Sequence, residues 1–541
     1  MDLLSLEIGD WRPKIKGLQS PISDLALWSA AALVAAALLL PTGYLLIRAV
    51  EAGDVAWQVL FQFRTVAILG RTSWLALSVT AASVAIAVPL AWLTVRTDLP
   101  LRRLWAVLTP LPLVIPSYVG AFLAVSALGP RGLLQQLLEG PFGIERLPDI
   151  YGFPGAMLTL TLLSYPYVLL SARAALQRMD PALEETSRSL GYGPWATFRG
   201  ITLPHLRPAL GAGGLLVALY TLRDFGAVSI MRYNTFTRVI FVQYQTFDRS
   251  AAASLALVLV ALTLGILALE ARTRGQARYY RSGVGAARPP ALVRLGLWRW
   301  PALIFCTAIV FLSLVLPAGV LLFWLVRGLR AGEPLLPLGL AVWNSISASA
   351  LAAGVAVAAA LPVTILSVRR SSPLTHLLER LTYSAFALPG IVVALALVFF
   401  GARYARPLYQ TLPMLILAYG ILFLPQAVGS ARASLLQVHP SLEETARSLG
   451  RRPLRVFATI TLPLAWPGVA AGAGLVFLTT MKELPATLVL APLGFKTLAT
   501  GVWSAVSEAF FAQAAAPALL LILVSSLPMT FFILREQKEG L

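Results

Sequence analysis

The sequence predicts an all-α integral membrane protein of about twelve transmembrane helices, built as two parallel six-helix repeats. Three observations carry that expectation. Only 12% of the 541 residues are charged and the mean hydropathy is +0.78, against roughly 25% charge in a soluble domain. Apolar runs of about 20 residues, the length that crosses a bilayer at helical rise, recur along the whole chain. The second half of the chain also repeats the first.

The first six runs are 25–47, 72–95, 104–127, 151–172, 208–231 and 250–270, and the second six are 301–326, 342–367, 381–401, 410–430, 466–490 and 511–534. Ahead of the first run, 24 residues with three basic and four acidic side chains lack the short apolar core and small-residue cleavage site of a signal peptide, so a retained anchor is expected. The net charge of +19 raises the question of nucleic acid, and the distribution of the charge answers it. With the N-terminus inside, the inner segments hold 28 Lys and Arg and the outer ones 13. The positive-inside rule therefore accounts for most of the excess and sets N- and C-termini in the cytoplasm. Cys306, the single cysteine, falls within a span, where disulfides and cysteine metal clusters have no partner; it reads as a packing residue.

The repeat is extensive. Pro89, Arg96, Pro100 and Pro116 match Pro362, Arg369, Pro373 and Pro389 at an offset of 273, while Pro166 matches Pro425 at an offset of 259. The difference of 14 residues is an insertion in the first half, near 128–150. An even number of spans in each half gives both halves the same orientation, related by an axis along the membrane normal. The expected organisation is a first half over 1–270, a linker over 271–300 with seven arginines and no acid, and a second half over 301–541. A linker of that charge suits anionic lipid headgroups.

One polar phrase is duplicated on the predicted cytoplasmic face, "LEETSRSLG" at 183–191 and "LEETARSLG" at 442–450. Asp180 is placed to cap a helix that starts at Pro181, with Glu184 and Glu185 near its positive end. Glu184 and Arg188, like Glu443 and Arg447, are i,i+4 neighbours. Gly191 and Gly450 stop each helix where a left-handed residue is needed. An amphipathic stretch then leads to Pro204 or Pro463. Two charged knobs on one face suit a partner with twofold symmetry, although duplication alone also copies neutral loops.

These residues resemble the "EAA" loop of ABC importer permeases: Glu185, Gly191, Ile201, Leu203 and Pro204 in the loop 173–207, and Glu444, Gly450, Ile460, Leu462 and Pro463 in the loop 431–465. Thr186 and Ser187, or Thr445 and Ala446, stand where that pattern has two alanines. The resemblance covers essentially the whole chain, as a fused pair of six-span halves. It implies a coupling helix in each loop, so that Glu184, Glu185 and Gly191, with Glu443, Glu444 and Gly450, contact two copies of an ATP-binding subunit. It implies an external substrate-binding protein as a second partner and a bacterial inner-membrane location. ATP and Mg belong to the partner subunits, since none of the five lysines follows a glycine as a phosphate-cradling loop requires. The chain is thus expected to be a transport subunit and no enzyme, with no cofactor of its own.

Ionisable residues inside a span are costly and mark function by default. "LRDFGAV" at 222–228 aligns with "MKELPAT" at 481–487, setting Arg223 against Lys482 and Asp224 against Glu483. Adjacent residues on a helix do not face one another, so the expectation is a cross pairing between halves, Arg223 with Glu483 and Lys482 with Asp224, as an outer gate. Snorkelling to the headgroups beside Gly226 and Pro485 is the alternative. Ser117 and Tyr118 are further candidates to line the path. The segment "MKELPATLVLAPLGFKTLAT" resembles the ferric-iron branch of these fused permeases, with thiamine, phosphonate and polyamine branches close by. No dedicated metal site is expected, because His205, His376 and His439 lack ligand spacing. An ion-coupled secondary transporter also has twelve spans in parallel halves but has no use for paired docking loops; a non-transporting scaffold leaves the aligned charges unexplained.

Overall fold

A computed structural model describes residues 21–51, 53–273, 292–333, 338–370 and 372–539. The N-terminal segment read as part of a retained anchor and most of the basic linker lie outside those residues. Among them, nine helices are long and apolar enough to cross a membrane, and shorter apolar helices complete the pattern.

In the first half the main helices are α1 (Pro21–Glu51), α2 (Phe63–Arg96), α3 (Ser117–Leu128), α4 (Phe153–Arg178), α5 (Pro181–Ser189), α6 (Leu203–Arg223), α7 (Gly226–Ile230), α8 (Phe236–Gln245) and α9 (Arg249–Thr273). In the second half α10 (Arg299–Val310) and α11 (Leu316–Arg330) form the first span, joined through a π-helical turn. There follow α12 (Leu338–Arg369), α13 (Gly390–Tyr404), α14 (Leu412–Leu435), α15 (Pro440–Ser448), α16 (Leu462–Met481), α17 (Pro485–Leu490), α18 (Leu498–Ser507) and α19 (Phe511–Glu539). The repeat extends to single hydrogen bonds. Thr72 receives the Phe236 amide at 3.3 Å, and its counterpart Ser345 receives the Leu498 amide at 2.8 Å.

Two expected spans are broken rather than continuous in each half. The third span of the first half is a short helix Arg102–Leu108, a 3₁₀ turn Leu111–Val114 and then α3, because Pro110, Pro112 and Pro116 each remove a backbone donor and restrict the residue before them. Pro389 breaks the matching span ahead of α13. The fifth spans break at Asp224 and Lys482, where the backbone leaves the helix. The helices α8 and α18 occupy segments read as outer loops; at ten residues each they are too short to register as spans.

Each half lends its first span to the other. Ala31, Leu38 and Leu45 of α1 are buried in one core with Ala352, Ala356 and Val392 of the second half, and Tyr44 stacks on Phe399 with ring centroids 5.7 Å apart. Reciprocally, Cys306 and Val310 of α10 are buried with Leu75, Leu169 and Val217 of the first half. Trp324 of α11 donates to the Ser126 hydroxyl at 2.6 Å. The described end of the linker is fastened as well: Leu295 donates its amide to Asp98 at 2.8 Å, and Val293 pairs with Thr97.

Candidate functional site

The duplicated phrase forms two short helices, α5 and α15. Asp180 caps α5 by accepting the Ala182 amide at 3.0 Å, and His439 does the same for α15 through Nδ1 with the Ser441 amide at 3.3 Å. Both helices begin on a proline, which supplies a ready φ and no surplus donor. Gly191 and Gly450 leave them at φ 87° and 79°, the left-handed conformation a side chain resists.

The two adjacent glutamates of each helix part company. Glu185 and Glu444 are exposed, whereas Glu184 and Glu443 are buried. Thr202 donates to Glu184 Oε1 at 2.8 Å, and Arg96, at the end of α2 and only 1% exposed, brings Nε to 3.9 Å of the same oxygen. In the second half Thr461 donates to Glu443 Oε1 at 3.0 Å and Arg369 donates at 2.9 Å. Each arginine is itself held by a backbone carbonyl, Arg96 by Leu176 at 2.9 Å and Arg369 by Val438 at 3.0 Å. Glu184 and Glu443 are therefore turned inward in the chain by itself, while Glu185 and Glu444 stand outward. A lone buried carboxylate is costly, and the arginine and threonine are what make burial tolerable. Among the expected i,i+4 pairs, Arg447 with Glu443 is present at 3.9 Å. Arg96, Arg369, Thr202 and Thr461 are site residues that motif reasoning passes over, although each pair recurs at the repeat offset.

The intramembrane charges sit at the breaks of the fifth spans. Asp224 is buried and accepts the Ala227 amide at 2.9 Å and the Val228 amide at 3.2 Å, so it caps α7. The Ser117 hydroxyl is a polar neighbour of its carboxylate. Glu483 is half-buried and accepts the Ala486 amide at 3.2 Å at the start of α17. A carboxylate at each new helix start satisfies amides that the break exposes and meets the positive end of the helix dipole. Lys482 donates to the Leu113 carbonyl at 3.0 Å, across the boundary between halves, and does not reach Asp224. Arg223 and Glu483 are electrostatic neighbours without a direct ion pair, and Arg223 makes one long hydrogen bond, 3.5 Å to the Phe386 carbonyl. Of the expected cross pairing, then, one arm is close and loosely held while the other is replaced by a backbone contact.

A small cavity adjoins Glu483, lined also by Ser345, Ser349, Tyr419, Thr480 and Thr497. Tyr118 and Tyr419 both lie within the field of Glu483. The Tyr118 hydroxyl is buried without a hydrogen-bond partner. Among the described residues no group of three or more His, Cys, Asp or Glu could hold a metal ion.

The sequence signature of a family described as "Binding-protein-dependent transport system inner membrane component" matches residues 83–273 and again 350–535. The chain is 38% identical to the Fe(3+)-transport system permease protein FbpB 2 of Haemophilus influenzae over 93% of its own length and 96% of that protein's. It is 25% identical to the ferric transport system permease protein FbpB of Actinobacillus pleuropneumoniae, over 78% of this chain and 64% of that one. It is also 33% identical to the molybdenum transport system permease protein ModB of Escherichia coli, over 32% of this chain and 78% of that protein.

Proposed function

The chain belongs to the family of binding-protein-dependent transport system inner membrane components, and from that premise we propose that it forms the whole transmembrane pathway of a ferric-iron importer. The observation that carries the reading is the pair of braced helices α5 and α15, each presenting an exposed glutamate, Glu185 or Glu444, from a base fixed to the second span of its half. A knob held rigidly can transmit a push; one held by a flexible loop cannot. Two ATP-binding subunits dock beneath the two helices, one to each, and ATP and Mg are handled there. A binding protein delivers the cargo to the opposite face. N- and C-termini lie on the side of the coupling helices. Ferric iron is the favoured cargo because the relative that aligns over nearly the full length of both chains carries that name.

The breaks at Asp224 and Lys482 supply the moving part. Discontinuous helices place polar termini inside the membrane where a substrate passes, and we assign Arg223 and Glu483 to the closing contact of the pathway on its outer side. Arg223→Glu combined with Glu483→Arg is expected to restore the low ATP hydrolysis of the cargo-free complex that either single variant raises; a double variant no better than the singles would remove the pairing.

Reconstitution with the ATP-binding subunits tests the whole reading. Ferric-loaded binding protein is expected to stimulate ATP hydrolysis and iron uptake together. Stimulation by a thiamine-, phosphonate- or polyamine-loaded protein in its place would overturn the cargo. Uptake that survives ATP depletion while an ion gradient is held would favour a secondary transporter instead.

A further inference from the structure

The two halves are not equivalent where their carboxylates sit. In the first half Asp224 accepts two amides and has the Ser117 hydroxyl as a polar neighbour. The position matching Ser117 in the second half is Gly390, which offers no hydroxyl and passes so close to Glu483 that a Cβ there would collide with Oε1. Glu483 therefore keeps one amide partner, Ala486, and turns the rest of its carboxylate to the cavity.

The oxygens around that cavity are uncommitted in a specific way. Thr487 donates its proton to the Glu483 carbonyl at 2.7 Å, so the 2.7 Å contact between Thr487 and Tyr419 is donated by the phenol. The phenol oxygen then has its lone pairs free. Thr480 is 4% exposed and its hydroxyl has no hydrogen-bond partner. Such a group is rare in a folded interior and asks for an occupant. The space is about 10 Å³, near the lower limit for one water, so it has no room for an organic cargo. In the first half the matching positions are Ala76 for Ser349 and Leu160 for Tyr419; two oxygens are lost there and an apolar side chain takes their place.

We propose that the cavity formed by Ser349, Tyr419, Thr480 and Glu483 is a transit site for one small hard cation, present in the second half alone. This rests on the reading of the cargo as ferric iron. Carboxylate, phenol and hydroxyl oxygens are the donors a hard cation prefers over nitrogen or sulfur. A single carboxylate with neutral oxygens binds weakly enough for the ion to leave, as conduction requires. Arg223, close to Glu483 and held by one long hydrogen bond, supplies the positive charge while the site is without cargo and is displaced when the cation arrives.

The test uses the full complex in proteoliposomes with ferric-loaded binding protein, reading ferric ions taken up per ATP hydrolysed. The double variant Ser349→Ala with Tyr419→Phe is expected to lower that ratio about tenfold or more, and Ser349→Ala alone to lower it in the same direction. The first-half change Thr221→Val, at the position matching Thr480, is expected to leave it unchanged. A ratio within about twofold of the unaltered protein in both cavity variants overturns the transit site while the cargo reading stands; an equal loss in Thr221→Val overturns its restriction to the second half. Should the unaltered complex move no ferric ion, the cargo reading falls and this proposal falls with it. If the double variant fails to elute as a folded complex, the single Ser349→Ala decides.

Discussion

Neighbouring residues in the duplicated phrase do opposite work, and the difference is one of helical facing. Glu184 and Glu443 look into the protein and Glu185 and Glu444 look out, because successive positions on a helix are about 100° apart. Replacing Glu184 or Glu443 by glutamine keeps the shape but leaves Arg96 or Arg369 without its anion. The bond from Arg369 is one to a charged group, worth about 1.5–3 kcal/mol, so thermal unfolding of Glu443→Gln in detergent should show a loss of that order; Glu184→Gln should also lose stability, because it leaves the more deeply buried Arg96 without a counter-charge. Glu185→Gln and Glu444→Gln should change stability by less than about 0.5 kcal/mol and instead weaken the stimulation of ATP hydrolysis by the loaded binding protein. The sequence makes both glutamates candidates and cannot say which faces inward. That depends on where Arg96 ends α2, far earlier in the chain.

Single helices show the same mixture of legible and hidden features. The short helix α5 is readable to the residue at its start and stop, since Asp180, Pro181 and Gly191 each act on their own backbone. Gly450 sits at φ 79° and Gly193 at φ −68°, and a methyl group added at either would meet no atom within 4 Å. Alanine at Gly450 should therefore cost about 1–2 kcal/mol of left-handed strain, read as a lower unfolding midpoint, while alanine at Gly193 should be silent. Gly226 and Pro485 mark the breaks in the fifth spans, but the reason for the acids is hidden in the sequence: Asp224 caps the helix that follows. Asp224→Ala should cost about 1 kcal/mol, the usual value of a lost cap, and Asp224→Asn less, because the amide oxygen still accepts the Ala227 and Val228 amides. The helices α8 and α18 are not legible as spans, since their hydrophobic faces are short and half polar, and hydropathy over a bilayer-length window dilutes them.

At the scale of the whole molecule, sequence reasoning reaches the repeat and its parallel sense and misses the exchange of first spans. Apolar side chains on α1 carry no mark of which core they enter, and Leu38 would fill a cavity in either half equally well. The exchange has a mechanical consequence. Each half grips the other through a helix buried on the far side, with Leu45 and Ala352 in one core and Cys306 and Leu169 in another. The covalent link through 274–291 is then not what holds the halves together. Two co-expressed chains, 1–273 and 292–541, should assemble in the membrane, co-purify in mild detergent and elute at the size of the intact protein. Removing α1 from the first chain should abolish that association even though α1 is far from the linker in sequence, because it uncovers Ala352, Ala356 and Val392 on the second half. If the split halves separate as readily with α1 as without it, the swapped spans are packing without grip, and the linker must be supplying the assembly.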